Sequence, residues 1–568
     1  MTRRVAAAAL TLAAIVLVGH AQDATVLASR ALQKPSVADL KTTAEASGYK
    51  STSKYDEVVA FMKAVDEASP LVFSATYGTT HEGRAMPMAV VGTGLADGSA
   101  AAVRASGKLR VHIQGNVHAG EVEGKESAQV LLREFALGRH ADWLESMVFL
   151  ITPIYNADGN EKFALTNRQR QNGPINGMGT RANAQNLNIN RDYMKLDTPE
   201  ARAFVKLWVD YDPHVGFDLH TSDGSAHGYY LTYSPPLNPD TSTTIMKIMT
   251  DEWFPFVTKQ IKAKHGWDSF YYGNVATPGG RGRGRGAADA PLAAGQAPAP
   301  LVPAPAPGPP PAPRVWATFE HLPRFHNNYL GLRNRFALLS EAYAYATFED
   351  RIKATNVFME EALNFAHHNA ARLKQAVADA DRERIIGVMA ATSAKLRRGG
   401  MVEILMGAVE NETNPLNGAV MNRRKEVVKA EQMVDMLWFE PVTTETVPAA
   451  YYVPAEAAKA IELLQAHGIQ MRETRQLPAS VESFQIDANT SGQPFEGHAL
   501  RKLKGRWGAK PDRTPGGRWW EIRMTQPLSR LGFYLLEPLS DDGLVAWNYL
   551  DDQLKDGVTQ YPIVRAAK

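Results

Sequence analysis

The 568-residue chain contains no cysteine, which excludes disulfides, thiolate-held metals and a lipid-bearing cysteine. It also lacks an excess of either charge. Lys plus Arg total 62 against 60 Asp plus Glu, a formal net charge of +2, so no global field selects nucleic acid or a membrane surface as partner. The apolar run near the start, VAAAALTLAAIVLVG, is too short to cross a bilayer. With 44% hydrophobic and 21% charged residues, the chain has the composition of a soluble globular protein, long enough for two or more folded units.

Residues 1–21 combine two arginines, the apolar run and a small-residue exit at Gly19-His20-Ala21, the pattern of a cleavable secretory signal. A periplasmic or secreted protein with no stable membrane span after cleavage is the expectation. Beyond it, strand-like and helix-like segments alternate: VFSATYG, AMPMAVVG, LRVHIQG, a helix to Phe135, MVFLITPIYN, a helix around Pro199 to Trp208, and HVGFDLH. Such alternation predicts an α/β layered sheet with helices on both faces, within a catalytic unit of residues 22–381. Residues 277–314 interrupt it with GGRGRGRG and an Ala-Pro tract, a disordered insertion with polyproline II character. The three arginines of GGRGRGRG have no interleaved aromatics, so the segment reads as a surface-loop insertion rather than a nucleic-acid-binding one. A smaller mixed α/β accessory unit is expected over residues 382–568. There, Pro454 is predicted to open a helix ending at Gly468, and RWWEIRM to form a strand. Its aromatics Trp519, Trp520, Phe533, Tyr534 and Trp547 are read as core rather than as a sugar platform.

Chemistry concentrates in two places. His118 and Glu121 lie in GNVHAGEVEG, between the strand-like LRVHIQG and a helix, so a short H-x-x-E turn can aim an imidazole and a carboxylate at one point. His220 closes the apolar run HVGFDLH, at the carboxyl edge where open α/β sheets bind ligands. Two imidazoles and one carboxylate with a coordination position left for water make a catalytic type of zinc site. By itself the H-x-x-E spacing is weak evidence, since a chain with 15 histidines should contain about one by chance.

The ordered landmarks add to it. G-x-x-x-EGR at Gly78 to Arg84, H-A-G-E at His118 to Glu121, N-A-D-G at Asn156 to Gly159, N-R-D-Y at Asn190 to Tyr193, D-L-H-T at Asp218 to Thr221 and L-S-E at Leu339 to Glu341 together resemble the zinc metallocarboxypeptidase family. The resemblance covers about residues 45 to 370 without the insertion. It implies a mixed, mostly parallel sheet sandwiched by helices, one Zn²⁺ on His118, Glu121 and His220, and Glu341 as the general base and acid. Asn190 and Arg191 would clamp the free C-terminal carboxylate of a peptide substrate, and Arg170, with Arg168 as the alternative, would stabilise the oxyanion. His326 and Tyr329 are candidate pocket residues. Asn188 stands where the family carries an aspartate beside a zinc histidine, and no tyrosine occupies the usual capping position. Two other functions remain compatible with these residues: a related zinc amidohydrolase acting on acyl-amino acids or cell-wall peptides, and an inactive carboxypeptidase-like binding protein.

Overall fold

Strand formation follows the runs of β-branched and aromatic residues. The computed structural model describes residues 36–222, 224–276, 313–511 and 517–567. The expected signal at 1–21 and nearly all of the insertion, through residue 312, lie outside the described residues. The main sheet comprises β1 (Val72–Thr79), β2 (Ala85–Val91), β3 (Leu109–Gly115), β4 (Met147–Thr152), β5 (Val215–Ser222), β6 (Leu231–Ser234) and β7 (Ser269–Tyr271), with two short strands, β8 (Asn274–Ala276) and β9 (Val315–Ala317), leading towards β10 (Phe336–Tyr343). Its spatial order is β1-β2-β4-β3-β5-β10-β6-β7. The centre, β4-β3-β5-β10, is parallel throughout, whereas β1, β2 and β6 join their inner neighbours antiparallel. Every residue of β4, β5 and β10 is buried, as continuous apolar strands covered on both faces require.

The helices Tyr55–Ala68, Glu123–Ala136 and Phe348–His368 cover one face, contributing Val58, Phe61, Leu132 and Phe358 to its core. Pro199–Tyr211 covers the other, with Phe204 and Trp208 inward. Its start is set by the Thr198 hydroxyl accepting from the Ala201 amide, with Pro199 in the first turn. The helix Glu123–Ala136 crosses β5 so closely that a Cβ at Gly124 would lie 2.6 Å from the Leu219 Cβ. Glycine there brings the helix start down onto the strand carrying His220.

The region after Arg382 is dominated by strands: β11 (Met389–Arg397), the hairpin β12 (Met401–Thr413) and β13 (Val420–Met436), then β14 (Trp438–Thr446), β15 (Ala450–Pro454), β16 (Arg472–Thr474), the hairpin β17 (Val481–Phe495) and β18 (His498–Ala509), β19 (Trp519–Arg523) and β20 (Val564–Ala566). Strand β9 pairs with both β8 and β13, so the segments flanking the insertion are stitched to the C-terminal hairpin. One apolar cluster runs from Phe204, Trp208 and Tyr329 into Tyr451, Leu464 and Trp547, so the two regions share a core. Pro454 corrects the helix expectation. It ends β15 opposite Trp519, because Tyr451, Tyr452 and Val453 before it favour the sheet, and the helix begins only at Ala458. Its end is as read, with Gly468 at φ +82°. Phe533, Tyr534 and Trp547 are each about 1% exposed and form core. Among the described residues, no helix is long and apolar enough to cross a membrane.

Candidate metal centre

The chain brings His118, Glu121 and His220 together. One ligand atom from each lies within 4.8 Å of the others, and all three residues are buried. His118 and Glu121 come from the turn after β3, held by Asn116, whose Nδ2 donates to the Ala119 and Glu121 carbonyls at φ +62°. His220 comes from β5. The Nδ1 atoms of both imidazoles face the carboxylate, His118 at 3.0 Å from Oε1 and His220 at 2.7 Å from Oε2. Each far nitrogen is engaged: His118 Nε2 with Asn188 Oδ1 at 3.1 Å, His220 Nε2 with Asp218 Oδ2 at 2.8 Å. An acceptor on Nε2 keeps the proton there and leaves the Nδ1 lone pair for a metal. The donor set therefore suits zinc, with two imidazole nitrogens and a carboxylate converging.

The charges agree with that use. Burial pushes the His118 imidazole well below its ordinary value, and the Arg181 guanidinium adds to the effect. Burial alone would raise the Glu121 carboxyl, yet His118, Arg168 and its hydrogen bonds hold it well below the usual carboxylate range. Burial also opposes a charged His220, but Asp218 and Glu121 outweigh it and raise its pKa.

Glu341 reaches this face through the sheet. In the parallel pairing of β10 with β5 it stands in register with His220, so both side chains leave the same face. It is completely buried.

Residues 58–245 match the family model described as zinc carboxypeptidase. That segment of the chain is similar to the zinc carboxypeptidase family. Carboxypeptidase 2 of Trichophyton rubrum is 33% identical over 143 residues, 25% of this chain and 23% of the relative. Carboxypeptidase 2 of Trichophyton tonsurans is 34% identical over 117 residues, 20% of this chain and 19% of the relative. The match thus spans about a quarter or less of these curated relatives' length. Among solved structures, a metallo-carboxypeptidase from Burkholderia cenocepacia aligns at 17% identity over 56% of this chain and 70% of its own, with a TM-score of 0.38.

Within the matched segment, the arginine expectation needs correction. Arg170 is exposed, and its carbonyl accepts from the Asn422 amide. Arg168, in a left-handed conformation at φ +47°, turns inward instead, with Nη1 3.2 Å from Glu121 Oε1 and Nε 2.7 Å from Gln171 Oε1. Sequence reasoning missed Arg181, whose Nη1 lies 3.5 Å from the same carboxylate oxygen. Its approach depends on the Ala119 amide donating to the Thr180 carbonyl, a loop-to-loop bond with no local sequence signal.

Asn190 and Arg191 are buried beside each other. Arg191 Nη1 donates to the Asn190 carbonyl at 2.8 Å, and its guanidinium lies 3.9 Å over the Phe325 ring, which fixes the plane of the fork. The two candidate pocket residues are placed otherwise than expected. The His326 ring is wholly buried among Tyr193, Phe204 and Trp208, with Nδ1 3.8 Å from Asp218 Oδ2. Tyr329 is buried with its hydroxyl bonded to His467 Nδ1 and Arg333, so it cannot cap a substrate. The EGR landmark is also architectural: Arg84 pairs with Asp158 of the N-A-D-G landmark at 2.7 Å.

Proposed function

We propose that this chain is a zinc-dependent carboxypeptidase that removes C-terminal residues from peptides. The observation that carries the reading is the convergence of His118, Glu121 and His220, with Glu341 in register beside His220. Zinc bound there would act as a Lewis acid and supply a water acidic near neutral pH. Glu341 then takes a proton from the attacking water and delivers it to the leaving amine, a task that requires a carboxylate facing the same space. Arg168 and Arg181 direct guanidinium N–H groups towards Glu121 and are the donors for negative charge developing on the substrate carbonyl oxygen. Arg191, its plane fixed over Phe325, holds the terminal carboxylate through both oxygens, with Asn190 beside it.

A panel of N-blocked dipeptides, each paired with its C-terminal amide, tests this proposal. Cleavage of the free acids with loss on amidation is the expected result. Equal turnover of acid and amide, or preference for acyl-amino acids or muropeptides, would favour the related amidohydrolase instead. The reading includes export with signal cleavage, supported by the pattern of residues 1–21, and exported protein that still begins at Met1 would count against cleavage.

A further inference from the structure

The loop that carries Asn188, Asn190 and Arg191 is gripped from the C-terminal region. The Asn188 amide donates to Glu496 Oε2 at 2.9 Å, the Met194 carbonyl bonds His467 Nε2 at 3.0 Å, the Lys195 carbonyl accepts from the Tyr549 hydroxyl, and Asp197 Oδ2 bonds His498 Nε2 at 2.8 Å. Two of these contacts come from the turn joining β17 to β18. There Phe495 pairs with His498 around a two-residue loop, Glu496-Gly497, with φ of +47° and +84°.

A turn with both central residues at positive φ favours Asn-Gly or Asp-Gly. Glutamate at its first position is conformationally disfavoured, and such positions persist where surrounding contacts fix them. The added reach of its side chain is used, because Oε2 meets the Asn188 amide. Asn188 in turn accepts on its Oδ1 from the Asn190 amide at 3.1 Å and contacts His118 Nε2 at 3.1 Å. A continuous path of hydrogen bonds therefore runs from the hairpin tip to a ligand of the metal centre.

We infer that Glu496 is a positioning residue for the metal centre, fixing Asn188 so that its amide oxygen orients His118. This rests on the zinc reading above and gives the C-terminal region a part in building the site. Outer hydrogen-bond partners of metal-binding imidazoles change metal affinity by about 10–100-fold when lost.

Two substitutions separate positioning from a purely structural turn. Glu496→Gln keeps the length and an acceptor oxygen; Glu496→Asp suits the turn better but is one methylene too short to reach Asn188. Each protein, stripped of metal, is titrated with zinc against a chromophoric chelator, and its melting temperature is measured. The expected result is wild-type zinc affinity for Glu496→Gln, and about tenfold weaker binding for Glu496→Asp with no loss of melting temperature. A Glu496→Asp protein that binds zinc as tightly as wild type overturns the inference alone. A wild-type protein that binds no zinc overturns the functional reading as well. In an Asn188→Ala background, Glu496→Asp should weaken zinc no further, because the path is already cut. An added loss there would also contradict the inference.

Discussion

The two imidazoles of the candidate metal centre are supported in opposite ways. His220 stands on a fully buried central strand, and its outer nitrogen meets a carboxylate, Asp218, two residues back on the same face. His118 stands on a turn, and its outer nitrogen meets a neutral amide, Asn188, on a separate loop that is itself held by Glu496. One side of the site is local and charged; the other is assembled from distant chain and neutral. The pKa directions follow the same division, His220 raised and His118 depressed. A carboxylate partner makes an imidazole a better electron donor but also a better base, so protons compete with metal more strongly on the His220 side.

Removing the charged support should have the larger effect. Asp218→Ala is expected to weaken zinc binding by about 100-fold, and Asn188→Ala by about tenfold, both read by chelator competition. Equal losses would erase the distinction between the two sides. Exchanging the partners sharpens it. Asp218→Asn should lower the His220 pKa, and Asn188→Asp should raise that of His118, each visible in imidazole NMR titrations of the metal-free protein.

The pH dependence has a definite sign. In the metal-free protein the His220 pKa lies above its ordinary 6.5, so the proton's contribution to folding is full below that value and is lost as pH rises through the folded pKa. Zinc needs the same nitrogen unprotonated. Affinity should therefore fall by up to about tenfold per pH unit below the folded pKa, and Asp218→Asn should move that fall to lower pH. A pH profile unchanged by Asp218→Asn would assign the proton elsewhere. The smallest effect is expected from Tyr329→Phe. It removes a hydroxyl bonded to His467 and Arg333 and should cost about 1 kcal/mol in denaturant stability while leaving KM unchanged.

Much of the site was legible because its parts are local. His118 and Glu121 share one turn, and His220 and Glu341 lie near the carboxyl ends of apolar strands, so periodicity and turn residues place these segments, while the role of Glu341 came from the resemblance alone. Their convergence then follows from the parallel order β3-β5-β10. What escaped the sequence depends on contacts between distant segments. Arg168 and Arg170 are indistinguishable by spacing, and only the left-handed backbone at Arg168 turns one inward. Arg181 approaches through a loop-to-loop hydrogen bond, and Tyr329 is buried by His467 from the other region. The shared core around Trp208, Tyr451 and Trp547 escaped the sequence too, since neither region's apolar pattern names its partner.

The central claim is that three buried side chains hold one zinc while Glu341 acts on the attacking water. Measuring zinc content and peptide turnover of Glu341→Gln side by side tests it most directly. The account predicts one zinc per chain as in the wild type, with turnover reduced by about 10²–10⁴-fold. Near-normal turnover with zinc in place would contradict it.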